Sequence, residues 1–445
     1  DLHDVAYEKW GQPYANQWAL MDDLFAWMDL RLYLFYEHHQ WLGPKNDMRN
    51  MLGLVVSREE FEHNLMRAAQ LGLEAQLDGE EMAQLAATQD AIRSRLDHTE
   101  ENFPLLLLFQ RCGLDEFERE CVILAYAAAL DRKYEKLLAY LQDDITQKAP
   151  TSALAVQLFL PLERTVEEYL SRFSRRDRFT ALFRQEQLAA GQLVLRASVL
   201  EFLSTGTVAP LPGLRLFNGA QEQPKGPLVI GQDAARRLDL LFQEPGARAI
   251  CLTGSSGAGK RFQVEHLMFR NRQSCLFVEL DGDRPEERMQ EGVLIARLTG
   301  ACLCFSHMER RDADGKLLPP EEHLFQDIFN LEPAHEKVFF LSQLPIRVQF
   351  PCLTVELNIP DPTEEERIRL FRAFLGKVVL EDGLTVEELA AKFRFFPRQI
   401  ELACRQALGL ADLEGEGTIS SREIHQCCYQ QGVHKLGDLA RRVRG

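Results

Sequence analysis

Hydrophobic spacing divides the chain into two textures. Up to about residue 205 apolar positions recur at helical steps. In "QWALMDDLFAWMDLRLYLFYEHH", Trp18, Met21, Leu24, Phe25 and Met28 follow i, i+3, i+4 spacing and predict the buried stripe of an amphipathic helix. "SREEFEHNLMRAAQLGL" opens on Ser57 followed three residues later by Glu60, the signature of a capping box. Residues 1–98 thus read as a helical region.

Residues 99–205 form a second unit. "DEFERECVILAYAAALDRKYEKLLAYLQDD" predicts two helices, "APTSALAVQLFL" a capped helix start, and "GQLVLRASVLEFLSTG" a short strand followed by a helix. Helices followed by a short strand element predict a winged-helix-like domain. Its basic run "RFSRRDRFTALFR" offers Arg172, Arg175, Arg176 and Arg178 as a nucleic-acid face. Acidic residues surround the run and no aromatic platform interleaves, which favours a solvated helix and loop.

From 206 to 228 the chain carries four prolines and four glycines and reads as a linker. Beyond it, "RAICLT", "SCLFVEL", "GACLCF", "KVFFLS" and "CLTVELNI" are short apolar runs separated by helical stretches. Such runs predict a parallel sheet with helices on both faces. Residues 229–358 are the expected extent of this α/β part. From 359 to 445 the pattern is helical again and predicts a lid.

Composition narrows the function. At 46% hydrophobic and 27% charged residues the chain is an ordinary globular sequence, and 445 residues suffice for several cores. A net charge of −16 argues against general affinity for nucleic acid or an anionic membrane. The ten cysteines include no C-x-x-C pair and predict reduced, buried thiols in a cytosolic protein rather than a zinc site. No apolar run reaches membrane-spanning length. The chain starts at Asp1 and stops in the basic "LARRVRG", which predicts a piece of a longer protein.

The candidate chemistry lies in "TGSSGAGKRF". Gly254, Gly259 and Lys260 have the G-x-x-x-x-G-K spacing of a phosphate-binding (Walker A) loop. The strand-like "RAICLT" directly precedes the loop and the helical "RFQVEHLMFRN" directly follows. That order aims the amides of Ser255, Ser256, Gly257, Ala258, Gly259 and Lys260, and the positive helix end, at an anion. Lys260 supplies a point charge for the terminal phosphates. Arg261, followed by Phe262, stands where such loops place a metal-binding hydroxyl.

In order of parts the chain resembles AAA+ ATPases. "PLVIGQDAARRLDLLF" matches the segment that packs on adenine, with Val229, Ile230 and Gly231 at its apolar-Gly position. "IARLTGACLCFSHMER" falls at the second acidic (Walker B) motif, "KVFFLSQLP" at the first-sensor strand, and "VELNIPDPTEEERIRLFRAFL" at the entry to the lid. "FRFFPRQIELACRQA" resembles the lid helix carrying the second-sensor arginine, here Arg398. The N-terminal half is similar to the winged-helix region of bacterial AAA+ proteins with two tandem ATPase modules, often associated with contractile injection machinery. In those proteins a stretch like "LGDLARRVR" joins a degenerate first module to an intact second one. The resemblance implies ATP or ADP as ligand, ring assembly of the longer protein, and an unidentified protein substrate or partner.

The sequence departs from that pattern at the catalytic positions. Ser306 and His307 replace the acidic pair, Arg261 replaces the loop hydroxyl, and Gln343 stands at the sensor Asn. Glu309, two residues further on, is expected to point elsewhere. Mg²⁺ wants oxygen ligands, and a +1 charge about 5 Å from it would repel it by several kcal/mol at an effective dielectric of ~20. Tight Mg²⁺ binding is therefore not expected, and Arg261 either folds back over the loop as a phosphate counterion or points to solvent. These losses predict a non-hydrolysing first tier of an ATP-driven remodeller. Two alternatives stay open: an ATPase in its own right through unconventional residues, and a scaffold whose nucleotide fold is only a protein-binding surface.

Overall fold

A computed structural model describes residues 8–39, 72–209, 211–330, 335–414 and 417–443, without the side chains of 327, 330, 413–414 and 433–443. The segment holding Ser57 and Glu60 lies outside the described residues. The chain divides into two compact units, Asp1–Ala209 and Pro210–Gly445.

The first unit is helical. Helix α1 (Gln17–His38) starts at Asn16, whose side chain accepts from the Ala19 amide, and α2 (Gly79–Asp97) starts at a capping box of Asp78 and Glu81. The stripe on α1 differs from the expected one. Met21 and Met28 are buried with Leu20, Trp27 and Phe35, but Trp18 is half exposed and its neighbour Gln17 is buried instead. Gln17 explains the exchange. Its amide nitrogen donates to the Leu203 carbonyl and its oxygen accepts from the Leu105 amide, so a polar side chain joins three segments inside the unit.

Helices α3 (Pro104–Arg111), α4 (Glu116–Leu130), α5 (Lys133–Leu141) and α6 (Ser152–Phe159) follow, then short α7 (Val166–Leu170) and α8 (Gln185–Ala189), and α9 (Ala197–Thr205). Burial runs without a break from Glu120 to Ala127, so α4 is covered on every face and is the unit's central helix. The strand expected near residue 192 is reduced to isolated antiparallel bridges, Thr151 with Gln192 and Phe183 with Leu195. In the basic run, Arg172 is committed to Asp115 and Glu118, and the Phe173, Phe179 and Phe183 rings pack on one another.

The second unit holds a six-stranded sheet. Its strands are β1 (Leu214–Asn218), β2 (Arg248–Thr253), β3 (Ser274–Glu279), β4 (Cys302–Ser306), β5 (Lys337–Ser342) and β6 (Leu353–Asn358), in the order β1-β3-β4-β5-β2-β6. The five apolar runs read from sequence are β2 to β6, all paired in parallel. Strand β1 corrects the reading of 206–228 as a linker. It pairs antiparallel with β3 and buries Leu214 and Phe217, so part of that Pro/Gly-rich stretch belongs to the sheet.

Helices α10 (Gln232–Gln243), α11 (Lys260–Asn271), α12 (Pro285–Thr299) and α13 (Glu322–Asn330) connect the strands. Alternate strand residues face opposite layers. Ile250, Leu252, Phe277 and Phe339 share a core with Val264, Leu267 and Met268 of α11, while Phe340 meets Phe325 of α13. After β6 come α14 (Glu364–Leu375), α15 (Val386–Lys392), α16 (Pro397–Glu414) and α17 (Ser421–Val443). Their separate core centres on Phe371, Leu389, Ile400, Cys404, Ile424 and Cys428, with Val229 and Ile230 packed against it.

One buried group predicts how the first unit responds to pH. Burial within α4 pushes the Glu120 carboxyl up to about 8, against the pull of Arg31. Its protonated form is favoured by the fold, so the stabilisation is complete below its ordinary range near 4.5 and is lost as pH rises toward 8. Glu118, pushed up to about 7 mainly by burial, acts in the same direction. Stability of unit 1 is therefore expected to fall between pH 5 and 8 by on the order of a few kcal/mol, and Glu120→Gln to flatten much of that slope. Denaturant titrations across this range would check it; a wild-type slope unchanged in the variant would be the contrary result.

Candidate functional site

The site forms where β2 ends. Residue Thr253 is buried, and the chain leaves the sheet with the Gly254 amide donating to the Ser342 carbonyl at 3.2 Å. The Ile359 amide donates to the Thr253 carbonyl at 2.7 Å, which brings the segment after β6 against the loop. A Cβ on Gly254 would lie 2.5 Å from the Ile359 carbonyl oxygen, so only glycine fits there. Gly257 and Gly259 take φ of +82° and +99°, a left-handed backbone that curls the loop before α11 begins at Lys260.

Inside that curl lies the Lys260 ammonium, donating to the carbonyls of Gly254 at 2.6 Å and Ser255 at 2.9 Å. Burial lowers its pKa, opposed by the charge of Glu309. The amides of Gly257, Gly259, Lys260 and Arg261 donate to no described group, so the loop presents a cation and free donors in one concavity. Ser255 Oγ donates to Asp361 at 2.8 Å. This donor set and the glycine cradle fit a phosphate group.

Around the loop lies a cleft of about 860 Å³, within the range of small-molecule sites. Part of it is an apolar slot, where Val229 and Ile230 pack with Phe374 against the helical core that contains Leu370. Gln263 Nε2 donates to the Gly231 carbonyl at 3.0 Å, and His266 Nε2 lies 2.9 Å from the Gly226 carbonyl, so α11 holds this segment in place. Burial lowers the His266 pKa. The cleft carries seven Lys or Arg against five Asp or Glu, the reverse of the chain's 51 against 67. The cleft is thus locally cationic on an acidic protein.

The structure brings most of the residues chosen from sequence to this cleft, including Ser256, Ala258, Phe262, Ser306, His307, Gln343 and Arg398. The Arg398 amide donates to the Gly257 carbonyl at 3.2 Å, and its guanidinium pairs with Glu401 at 2.9 Å. Two expectations need correction. Arg261 neither crosses the loop nor points free into solvent. Its Nε donates to Glu265 at 3.3 Å, its Nη1 is 3.9 Å from Glu279, and its guanidinium carbon lies 4.3 Å from the centre of the Phe277 ring. The pairing with Glu265 is an i, i+4 spacing that was readable in the sequence.

Glu309 is the second. His307 takes φ of +54° just after β4 ends, and the following residues turn back toward β5. Met308 is buried, and Glu309 Oε1 accepts from Ser342 Oγ at 2.8 Å and from the Gln343 amide. A carboxylate therefore stands in the cleft two positions after the missing acids. Among the described residues no three His, Cys, Asp or Glu side chains converge as a metal site.

Comparisons with known proteins agree with this architecture in part. A family described as "Winged helix domain, variant" matches residues 6–188, and one described as "Contractile injection system ATPase helical domain" matches residues 363–434. The second match covers most of helices α14 to α17 and associates the chain with ATPases of contractile injection systems. The first spans both the region read as helical and most of that read as winged-helix. No curated protein matches the chain. Among solved structures, a chain from "Structural Basis for Katanin Self-Assembly" is similar at 10% identity and a TM-score of 0.35, over 49% of this chain and 87% of that one. No helix among the described residues is long and apolar enough to cross a membrane.

The geometry of Arg261 gives a direct test. Its cation–π contact and partly buried ion pair together are worth about 1 kcal/mol. Arg261→Thr is expected to lower the unfolding free energy of the second unit by that amount, read from its denaturation midpoint. An unchanged midpoint would mean that the side chain lies in solvent.

Proposed function

We propose that residues 229–358 and 359–445, extended by strand β1, form an AAA+ nucleotide-binding module that holds ATP or ADP without hydrolysing it. The observation that carries this reading is the Lys260 ammonium inside a glycine-curled loop at the C-terminal end of strand β2, beside an apolar slot. Open parallel sheets place their ligands at that edge. The loop amides and Lys260 would hold the phosphates. Val229, Ile230 and Gly231 would flank the base, under a lid whose Arg398 amide touches the loop.

Hydrolysis needs a group that orients and deprotonates water, and commonly a metal held by acids. Ser306 and His307 offer neither carboxylate, and Arg261 offers no hydroxyl. Nucleotide binding through amides and Lys260 requires no metal, and we place no tightly bound Mg²⁺ in this site. With the helical region (1–98) and winged-helix domain (99–205) in front, the module serves as the regulatory first tier of a larger, ring-forming bacterial ATPase that remodels proteins in the cytoplasm. The match of residues 363–434 supports its link to contractile injection systems. Nucleic acid and membrane are not its partners in this reading.

Calorimetry with ADP and ATP, in Mg²⁺ and in EDTA, tests it. Binding should change by less than about tenfold, or 1.4 kcal/mol, when metal is removed, and Lys260→Ala should abolish it. Phosphate release should be the same for wild type and Lys260→Ala. Sustained turnover that disappears in Lys260→Ala would refute the proposal.

A further inference from the structure

We infer that Glu309 makes this cleft select nucleoside diphosphates over triphosphates. The inference rests on the nucleotide-binding reading and adds a specificity that none of the catalytic losses supplies by itself. Three observations carry it. First, the carboxylate is held in place: Oε1 accepts from Ser342 Oγ and from the Gln343 amide, at the end of the strand beside β2. Second, it lines the same cleft as Lys260, near enough for its charge to act on the ammonium. Third, it stands beside the loop: Ser342, whose hydroxyl donates to it, also accepts the Gly254 amide at its carbonyl, and Ser306 and His307 line the same cleft.

A nucleotide with its base in the slot and two phosphates on the loop fills the cationic part of the cleft. A third phosphate extends beyond the loop toward the end of β5, where Glu309 is held. Where acids and a loop hydroxyl hold a divalent cation, the cation bridges carboxylate and phosphate. Here Ser306, His307 and Arg261 replace those ligands, and Arg261 is tied to Glu265. The fixed carboxylate therefore meets the third phosphate as like charge, in a partly buried site where screening is weak. His307 gives the physical origin. Its left-handed backbone turns the chain so that the acid arrives two residues late, placed to repel rather than to ligate.

The test is calorimetric, in EDTA, on the whole chain. Wild type should bind ADP about tenfold more tightly than ATP. Glu309→Gln, which keeps an oxygen to accept from Ser342, should bring the two affinities within about threefold, chiefly by tighter ATP binding. Ser342→Ala, which frees the carboxylate from one donor, should narrow the gap without removing it, and thermal melts would establish that both variants fold. An equal ADP-to-ATP ratio in wild type and Glu309→Gln, or weaker ATP binding by that variant, would overturn the inference alone. Absence of binding by either nucleotide to wild type would overturn the nucleotide reading and this inference with it.

Discussion

The second unit depends on strand β2 being paired in parallel on both sides. Its six residues match β5 on one side and β6 on the other, from Arg248 to Thr253. Two ladders fix the point at which the backbone must leave the sheet. They also carry the ends of their partners, Ser342 and Asn358, to the same level. Everything with chemistry in this unit collects at that edge, because the strand ends are aligned before any side chain is chosen. Glycines at 254, 257 and 259 then let the chain curl where a side chain would collide with the Ile359 carbonyl or force a left-handed backbone on a branched residue.

From that edge the lid follows by contact rather than by a long-range effect. Ile359 bonds to Thr253, the Arg398 amide bonds to the Gly257 carbonyl, and Ser255 bonds to Asp361. Val229 and Ile230, from the segment before α10, pack into the lid core. Loop, entry segment and lid are thus in mutual contact and line one cleft. In the proposed reading this contact is a physical basis for coupling nucleotide state to the position of the C-terminal helices.

Much of this was legible in the sequence, for identifiable reasons. Strands β2 to β5 are buried on both faces and read as nearly unbroken apolar runs, whereas the largely exposed edge strand β6 was legible from its alternation of apolar and polar residues. Strand β1 was hidden because "LRLFN" has only Leu214 and Phe217 facing inward and sits among prolines and glycines. Trp18 fits the helical stripe better than Gln17 does, and only the Leu203 and Leu105 backbone groups explain the exchange. The loop was visible as a spacing. The fate of Arg261 was not, since it depends on Phe277, sixteen positions away in sequence and on another strand. Glu309 was missed because counting from Ser306 assumes that the strand runs on straight, and the left-handed turn at His307 breaks that assumption.

The central claim is that one cleft, shared by loop, entry segment and lid, holds a nucleotide. Hydrogen exchange followed by mass spectrometry, with and without ADP in EDTA, tests it most directly. Amides of unoccupied loops exchange readily, and those that donate to a phosphate or lose solvent exchange more slowly. The account predicts slower exchange in three separate segments together: 229–231, 254–262 and 397–401, with unit 1 unchanged. Protection of the loop alone would contradict the shared cleft, and no protection in any of the three would contradict nucleotide binding itself.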